Sequence, residues 1–159
     1  MTHNNHANEK LPDHTESYWR TGIEFPEYPS LEEDLNVDVV IVGGGITGIT
    51  SAYLLVNQGL KVAVLEAGKL MNGTTGHTTA KITAQHNLIY DEFIHNLGRS
   101  KARLYYEANK EALDFIKKTV SEHDIDCDFS NQDAYLYATT EKYAKKVEKE
   151  AEAYEKLGI

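Results

Sequence analysis

The fold is decided by residues 38–68, which read DVVIVGGGITG at 38–48 and KVAVLEAG at 61–68. A short apolar run rich in β-branched residues leads into three glycines, and an apolar segment of mostly small residues follows up to Gly59. A second apolar run then ends in an acid, Glu66. A strand, a glycine turn, a helix and a second strand in this order predict a βαβ unit.

The spacing of the glycines predicts a turn that binds phosphate groups. Gly43 permits the tight turn after the first strand, Gly45 lets the backbone approach a pyrophosphate, and Gly48 lets the helix lie close to the sheet. The free amides of the first helical turn and the positive end of the helix dipole then face the anion. Because glycines also cluster in turns for conformational reasons alone, the prediction rests on their combination with the two strands, the helix and Glu66.

Glu66 indicates which dinucleotide is bound. It ends the second strand about 20 residues after the glycines, where a carboxylate accepts hydrogen bonds from a ribose 2′-OH. A carboxylate at this place also repels a 2′-phosphate. We therefore expect a cofactor whose ribose carries a free 2′-OH.

The second informative stretch is MNGTTGHTTAKIT at residues 71–83, which is dense in hydroxyl groups and glycine. Small residues and exposed amides just beyond Glu66 suit a loop that wraps a second part of a large nucleotide cofactor. A polar linker is the alternative. His77 could hydrogen-bond a flavin and Lys81 could offset a phosphate or a flavin anion, but both could equally face solvent.

Composition and length exclude several classes of protein. A chain of 159 residues has the length of one ordinary domain. The net charge of −9 argues against a nucleic acid partner. No apolar run reaches membrane-spanning length and the N terminus is polar, so we expect a cytoplasmic protein. The single cysteine, Cys127, cannot form an internal disulfide, and we expect it to be buried in a strand.

The first 36 residues divide into a tail and an arm. Residues 1–16 have hardly any apolar side chains, so we expect a disordered tail. Its three histidines match no recognised set of metal ligands, and we expect no metal site. These histidines are His3, His6 and His14. Residues 17–36 hold aromatic residues and prolines, which indicates an extended arm that packs on a domain surface with Trp19 as its anchor.

Residues 91–120 have apolar residues at helical spacing, with a break at Gly98 and Ser100 as the N-cap of the following helix. Residues 127–139 alternate around a polar turn and predict a β-hairpin with Tyr135 and Tyr137 on one face. Thr140 then caps a charged helix. The expected inner face of that last helix consists of Tyr143, Val147, Ala151, Tyr154 and Leu157.

Only one glycine fingerprint is present, and the last helical pattern reaches Ile159 without a closing strand. Known dinucleotide folds need two mononucleotide halves or an added substrate domain. We therefore expect the N-terminal part of a longer protein. Self-association through an exposed sheet edge is a further expectation.

Three of these stretches together resemble FAD-dependent oxidoreductases of the D-amino-acid oxidase and glycine oxidase type: residues 39–48, 64–67 and 73–76. Two short sequences, SYW at residues 17–19 and GTTGHTTAK at residues 73–81, resemble more specifically a bacterial branch of this family. In that branch a C-terminal Rieske iron–sulfur domain follows the FAD-binding module. The resemblance covers residue 17 to the end of the chain.

The resemblance implies an α/β fold with a Rossmann-like FAD-binding βαβ core, incomplete here, then a helical segment and the start of an α+β substrate domain. Residues 37–123 would be the N-terminal part of the FAD-binding domain, and residues 124–159 would begin the substrate domain. The implied reaction removes a hydride from a carbon bearing an amine, with the flavin as acceptor. The longer parent would be the enzyme, and this piece alone would be inactive.

The resemblance also implies which residues hold FAD. The glycine turn would hold the pyrophosphate, the acid after the second strand and its neighbour the adenosine ribose, and residues 74–81 would run from the pyrophosphate towards the flavin. In chain order these residues are Gly43, Gly45, Ile46, Thr47, Gly48, Glu66, Ala67, Thr74, Thr75, Gly76, His77, Thr79, Ala80 and Lys81. No catalytic residue is assigned.

The expected partners are FAD and a small-molecule substrate, without nucleic acid or membrane. A Rieske [2Fe-2S] cluster needs paired Cys and His ligands that this sequence lacks, so we expect one only in a C-terminal region beyond Ile159, if at all. Two other functions fit the same residues. One is an NAD-binding dehydrogenase module, if residues 73–81 are only a linker, and the other is a non-catalytic nucleotide-binding module.

Overall fold

A computed structural model describes residues 16–159, so the predicted tail, except for Glu16, and its histidines lie outside the described residues. The described chain contains two 3-10 helices, two strands and four α-helices. In chain order these are the 3-10 helix Tyr18–Arg20, β1 Val39–Val42, α1 Ile46–Val56, β2 Val62–Leu65, the 3-10 helix Thr74–His77, α2 Tyr90–Leu97, α3 Arg99–Glu122 and α4 Glu141–Leu157.

The described residues form two compact units, which divide between Ala80 and Lys81. The first unit contains both strands and α1, and the second contains α2, α3 and α4. Within the second unit α3 packs with α4, and the predicted domain boundary between residues 123 and 124 stays a prediction. The assignment of residues 124–159 to a substrate domain stays a prediction.

The first unit is built on two parallel strands joined by α1, as the apolar pattern predicts. Val39 pairs with Val62 and Val42 with Leu65. Beyond the strand end, the Gly43 amide donates to the Leu65 carbonyl at 2.8 Å. Ile41 lies beneath α1, whereas Val42 on the opposite face is 85% exposed. Within the described residues, α1 thus covers one face of the sheet, and the α/β prediction is confirmed.

The second unit has an aromatic core centred on Tyr90, the first residue of α2. Tyr90 is 1% exposed, and its ring meets the ring of Tyr154 edge-on at a centroid distance of 5.4 Å. Ala102 and Leu157 are fully buried beside it. Edge-to-face contacts between large rings bury much apolar area, so this cluster joins α2, α3 and α4.

The break between α2 and α3 lies at Gly98, as predicted. Gly98 has a φ of +81°, in the left-handed region that glycine adopts without strain. Because the chain re-enters a helix directly after it, Arg99 already begins α3 and Gly98 is the N-cap. The prediction of Ser100 as N-cap is therefore wrong. The cap at Thr140 is confirmed, since its side chain accepts the Tyr143 amide at 3.4 Å.

The inner face of α4 differs from the predicted one. Leu157 is buried and both Val147 and Tyr154 are half-buried, but Tyr143 and Ala151 are exposed. Glu150 takes the central place and is 1% exposed. A carboxylate at a core position does not appear in an apolar pattern, because only its partners on another helix make its burial favourable.

The predicted β-hairpin at residues 127–139 is wrong, since this segment is irregular. Tyr135 and Tyr137 are 81% and 85% exposed. An isolated hairpin is marginal in water, and the two strands of the described chain, β1 and β2, pair only with each other. Cys127 is exposed in this segment, so the expectation of a cysteine buried in a strand is also wrong.

Helices that span a membrane are long and uniformly apolar. Between residues 16 and 159, no helix has the length and apolarity that crossing would need.

Candidate cofactor site

The glycine turn between β1 and α1 is as tight as the spacing predicts. Gly43 has a φ of +106°, which favours glycine. A Cβ on Gly48 would overlap the carbonyl oxygen of Gly43, so the first turn of α1 lies directly against the turn that precedes it. These two glycines therefore set the direction of α1, whose N-terminal amides lack intrahelical acceptors.

Glu66 contacts the glycine turn from the end of β2. The Gly44 amide donates to Glu66 Oε2 at 2.7 Å, and the Gly68 amide donates to Oε1 at 2.9 Å. Both bonds lower the pKa of this carboxyl below its ordinary value, and the bond from Gly44 has the larger effect. The carboxylate is therefore ionised at neutral pH, and each oxygen keeps a further lone pair for a hydroxyl donor.

Thr75 joins residues 71–83, called the Thr-rich loop below, to the start of α1. Its Oγ1 accepts the amide hydrogen of Ile46, the first residue of α1, at 3.0 Å. A Cβ on Gly45 would lie 3.2 Å from the same Oγ1. The Met71 amide donates to the Gly44 carbonyl at 3.1 Å. The loop after β2 is thus packed on the glycine turn, and a hydroxyl oxygen satisfies an amide that an anion could also use.

A cavity of about 520 Å³ opens where α1 begins. The residues that line it are Ile41, Val42, Gly43, Gly45, Ile46, Thr47, Gly48, Ser51, Thr74, Thr75 and Thr78. Three glycines and five hydroxyl side chains lie in this wall beside three aliphatic side chains. Any side chain on Gly45 would enter the space, so the cavity fits a group that needs close backbone approach and hydrogen-bond donors, such as a pyrophosphate.

The structure brings together seven of the residues predicted to bind a cofactor. Gly43, Gly45, Ile46, Thr47, Gly48, Thr74 and Thr75 all line the cavity. Glu66 does not line the cavity but accepts the Gly44 amide of the glycine turn, and the exposed Ala67 follows it along the chain.

Five further predicted residues do not line the cavity. Gly76 is buried beneath the side chain of Arg20, and His77 Nδ1 lies 2.9 Å from the Gly73 carbonyl. Thr79 and Ala80 are exposed. Lys81 is also exposed and begins the second unit. Their roles towards a flavin stay predictions.

Sequence reasoning missed several residues of the cavity wall. Ser51 lies one helical turn after Thr47, so helical spacing alone would place its hydroxyl beside the predicted site. Thr78 lies in the predicted loop, where nothing in the sequence distinguishes it from its neighbours. Ile41 and Val42 end β1, and their apolar pattern indicates only a strand. Within residues 16–159, no group of three or more acidic, His or Cys side chains could hold a metal ion.

Two relatives match nearly the whole chain. The "Putative Rieske 2Fe-2S iron-sulfur protein YhfW" of Bacillus subtilis (strain 168) is 54% identical over 156 residues, which are 98% of this chain and 30% of that protein. The gamma-glutamylputrescine oxidoreductase of Escherichia coli (strain K12) is 28% identical over 149 residues, 93% of this chain and 35% of that protein. The chain thus spans about a third of the length of these relatives.

An L-amino-acid oxidase of Echis ocellatus is 47% identical over only 45 residues, 28% of this chain and 9% of that protein. No solved structure matches the chain. The family model "DAO: FAD dependent oxidoreductase" matches residues 38–159, from the start of the βαβ unit to the end of α4. The chain therefore belongs to the DAO family of FAD-dependent oxidoreductases, whose cofactor is FAD.

Proposed function

We propose that this chain is the N-terminal FAD-binding part of a flavin-dependent oxidoreductase that oxidises an amine or an amino-acid-like substrate. The observation that carries the proposal is the open cavity at the start of α1, where glycine backbone and threonine hydroxyls meet beside an ionised Glu66. This donor set suits a pyrophosphate joined to a ribose.

The pyrophosphate would be bound by the backbone of Gly43, Gly45 and Gly48 with the first amides of α1, at Ile46 and Thr47. The macrodipole of α1 favours an anion at this end. Thr74 and Thr75, which also line the cavity, would add hydroxyl groups. Thr75 Oγ1 accepts the Ile46 amide, and its own hydroxyl hydrogen remains available to donate to an anionic oxygen.

The adenosine ribose would be bound by Glu66 and the adjoining backbone at Ala67. The Gly44 and Gly68 amides fix both oxygens of the Glu66 carboxylate. A fixed and ionised carboxylate accepts two ribose hydroxyl donors without losing these bonds, because each oxygen has a second lone pair. The segment Gly76–Lys81, with His77, Thr79 and Ala80, is proposed to continue towards the flavin.

Bound FAD supplies the redox chemistry, acceptance of a hydride from the substrate carbon. The described residues would bind and orient the cofactor, and no catalytic residue is assigned among them. Residues 37–123 would belong to the FAD-binding domain, and residues 124–159 would begin the substrate domain. A Rossmann-like core and a cytoplasmic location are part of the same proposal.

The substrate class has support from one relative. Gamma-glutamylputrescine, in the name of the relative from Escherichia coli, carries an amine, and that relative matches 93% of this chain. The L-amino-acid oxidase matches only a 45-residue stretch, which supports the cofactor more than the substrate. A Rieske cluster would need residues outside this sequence, because one cysteine cannot supply the two that such a cluster requires.

The proposal is tested by the absorption spectrum of the purified protein and by titration with FAD and NAD in parallel. We expect the visible bands of oxidised flavin and saturable binding of FAD but not of NAD. Colourless protein that binds neither nucleotide would overturn the proposal. Protein that binds NAD alone would favour a dehydrogenase module instead.

A matched pair of variants locates the site. Gly45→Val fills the cavity and pushes against Thr75 Oγ1, so we expect flavin content to fall to background. Cys127→Ala changes an exposed residue of the second unit and should keep the flavin content of the wild type. Equal flavin content in the two variants would refute the assignment of the pyrophosphate site.

A further inference from the structure

The two 3-10 helices of the first unit contact each other, although more than 50 residues separate them. The indole Nε1 of Trp19 donates to the carbonyl oxygen of Thr78 at 2.8 Å. The Tyr18 ring supports the indole edge-on at a centroid distance of 5.3 Å. The arm before β1 is therefore anchored on the backbone of the Thr-rich loop, and this hydrogen bond does not depend on the side chain of Thr78.

Arg20 holds the same loop through its aliphatic stem. A Cβ on the buried Gly76 would lie 2.7 Å from Arg20 Cδ and would overlap the carbonyl of Met71. Arg20 Nε is buried and makes no hydrogen bond within the described residues. An unpaired buried donor is unfavourable, so among the described residues the packing of the stem on Gly76 accounts for the position of this side chain.

The loop held by the arm is the loop that carries Thr75. Thr75 Oγ1 accepts the Ile46 amide at the mouth of the cavity, and Thr78 lines the same cavity. A continuous set of contacts thus runs from Trp19 and Arg20, through residues 74–78, to the first amide of α1.

We propose that Trp19 and Arg20 are positioning residues that hold residues 74–78 in the place from which Thr75 reaches α1, and so set the affinity of the site for its nucleotide. This inference rests on the proposed function only for the identity of the nucleotide. Neither side chain lines the cavity, so both act through the loop.

The first test measures amide hydrogen exchange by NMR in the purified protein without added cofactor. Trp19→Phe keeps an aromatic ring and removes the donor to Thr78. We expect the Ile46 amide to exchange about fivefold faster, the effect of losing one hydrogen bond of about 1 kcal/mol. The Gly43 amide, which donates to Leu65 within the sheet, should exchange at the wild-type rate. Tyr28→Phe, at an exposed arm position, is the control and should change neither rate.

The second test separates packing from charge. Arg20→Met keeps an unbranched stem and should leave Ile46 exchange close to that of the wild type, whereas Arg20→Ala should speed it by about fivefold. Gly76→Ala displaces Arg20 or Met71 and should act like Arg20→Ala, while Gly73→Ala meets no atom within 4 Å and should not. An equal effect of Arg20→Met and Arg20→Ala would show that the charge matters and would overturn this part of the inference.

The third test is the dissociation constant of FAD, measured by fluorescence titration. We expect Trp19→Phe and Arg20→Ala to raise it about fivefold. Faster exchange without weaker FAD binding would overturn the role in affinity. Unchanged exchange of Ile46 in Trp19→Phe would overturn the positioning role, whether or not FAD binds.

A wild-type protein that binds no FAD would overturn the proposed function separately. The positioning of the loop would then be decided by the exchange rates alone, because they are measured without cofactor. The single tryptophan adds an independent readout, since a loosened indole should show red-shifted emission in Arg20→Ala and Gly76→Ala but not in Gly73→Ala.

Discussion

Glu150 accepts the amide hydrogen of Tyr90 at 2.9 Å, although the two residues are 60 positions apart. The same carboxylate accepts the amides of Ile89 at 3.0 Å and Asp91 at 2.9 Å. The first amides of a helix have no acceptor within that helix. For α2 the acceptor is the carboxylate of Glu150, which lies on α4. The negative charge also lies at the positive end of the α2 dipole.

Replacing Glu150 should therefore destabilise the second unit. Glu150→Ala leaves three amides without their acceptor in a buried place, and we expect the free energy of unfolding to fall by about 2–3 kcal/mol. Urea unfolding followed by circular dichroism measures the change. Glu148→Ala, on the exposed side of the same helix, is the matched control and should shift it by less than about 0.5 kcal/mol. Equal losses in the two variants would contradict the capping role.

The stability of the first unit should depend on pH through Glu66. Its pKa is lowered from an ordinary value of 4.5 by the bonds from Gly44 and Gly68, so its contribution is fully present above that value. The contribution is lost as the pH falls through the lower pKa of the folded state. Glu66→Gln should flatten this acid-side loss, measured as melting temperature between pH 7 and pH 3. Identical profiles for the variant and the wild type would rule out the linkage.

Gly48 should tolerate no side chain. The Cβ of Gly48→Ala would overlap the carbonyl of Gly43, so the turn or α1 must shift, and we expect a loss of about 2–3 kcal/mol in the free energy of unfolding. Gly68→Ala is the control, because its Cβ would meet only Glu66 Oε1 at an ordinary 3.7 Å. Thermal unfolding curves compare the stabilities of the two variants. Similar stabilities would argue against close packing at Gly48.

Thr75 should affect cofactor binding through its hydroxyl group. Thr75→Val keeps the shape but removes a hydroxyl group that accepts the Ile46 amide and would donate its own hydrogen to the pyrophosphate, so we expect the dissociation constant for FAD to rise about tenfold. Thr75→Ser keeps the oxygen and should bind FAD within about twofold of the wild type. The measurement is a fluorescence titration, and equal affinities of the Val and Ser variants would exclude the hydroxyl group from the site.

Local patterns predicted the part of the molecule that is local in sequence. The two strands, α1 and the glycine turn lie within residues 38–68, where β-branched runs, glycine spacing and the terminal acid predict them. The break at Gly98 and the cap at Thr140 are likewise set by adjacent residues. The same reasoning failed for residues 127–139, because an alternating pattern forms a hairpin only where other elements cover it.

The sequence by itself determined the βαβ unit, the tight glycine turn between its first strand and its helix, and the resemblance to FAD-dependent oxidoreductases. Only the tertiary structure decided that Thr75 reaches the first amide of α1, that Trp19 and Arg20 hold the loop of Thr75, and that Glu150 caps α2. Each of these contacts joins residues that are distant along the chain. Their partners are mostly backbone groups, which every residue carries and which no sequence pattern can therefore reveal.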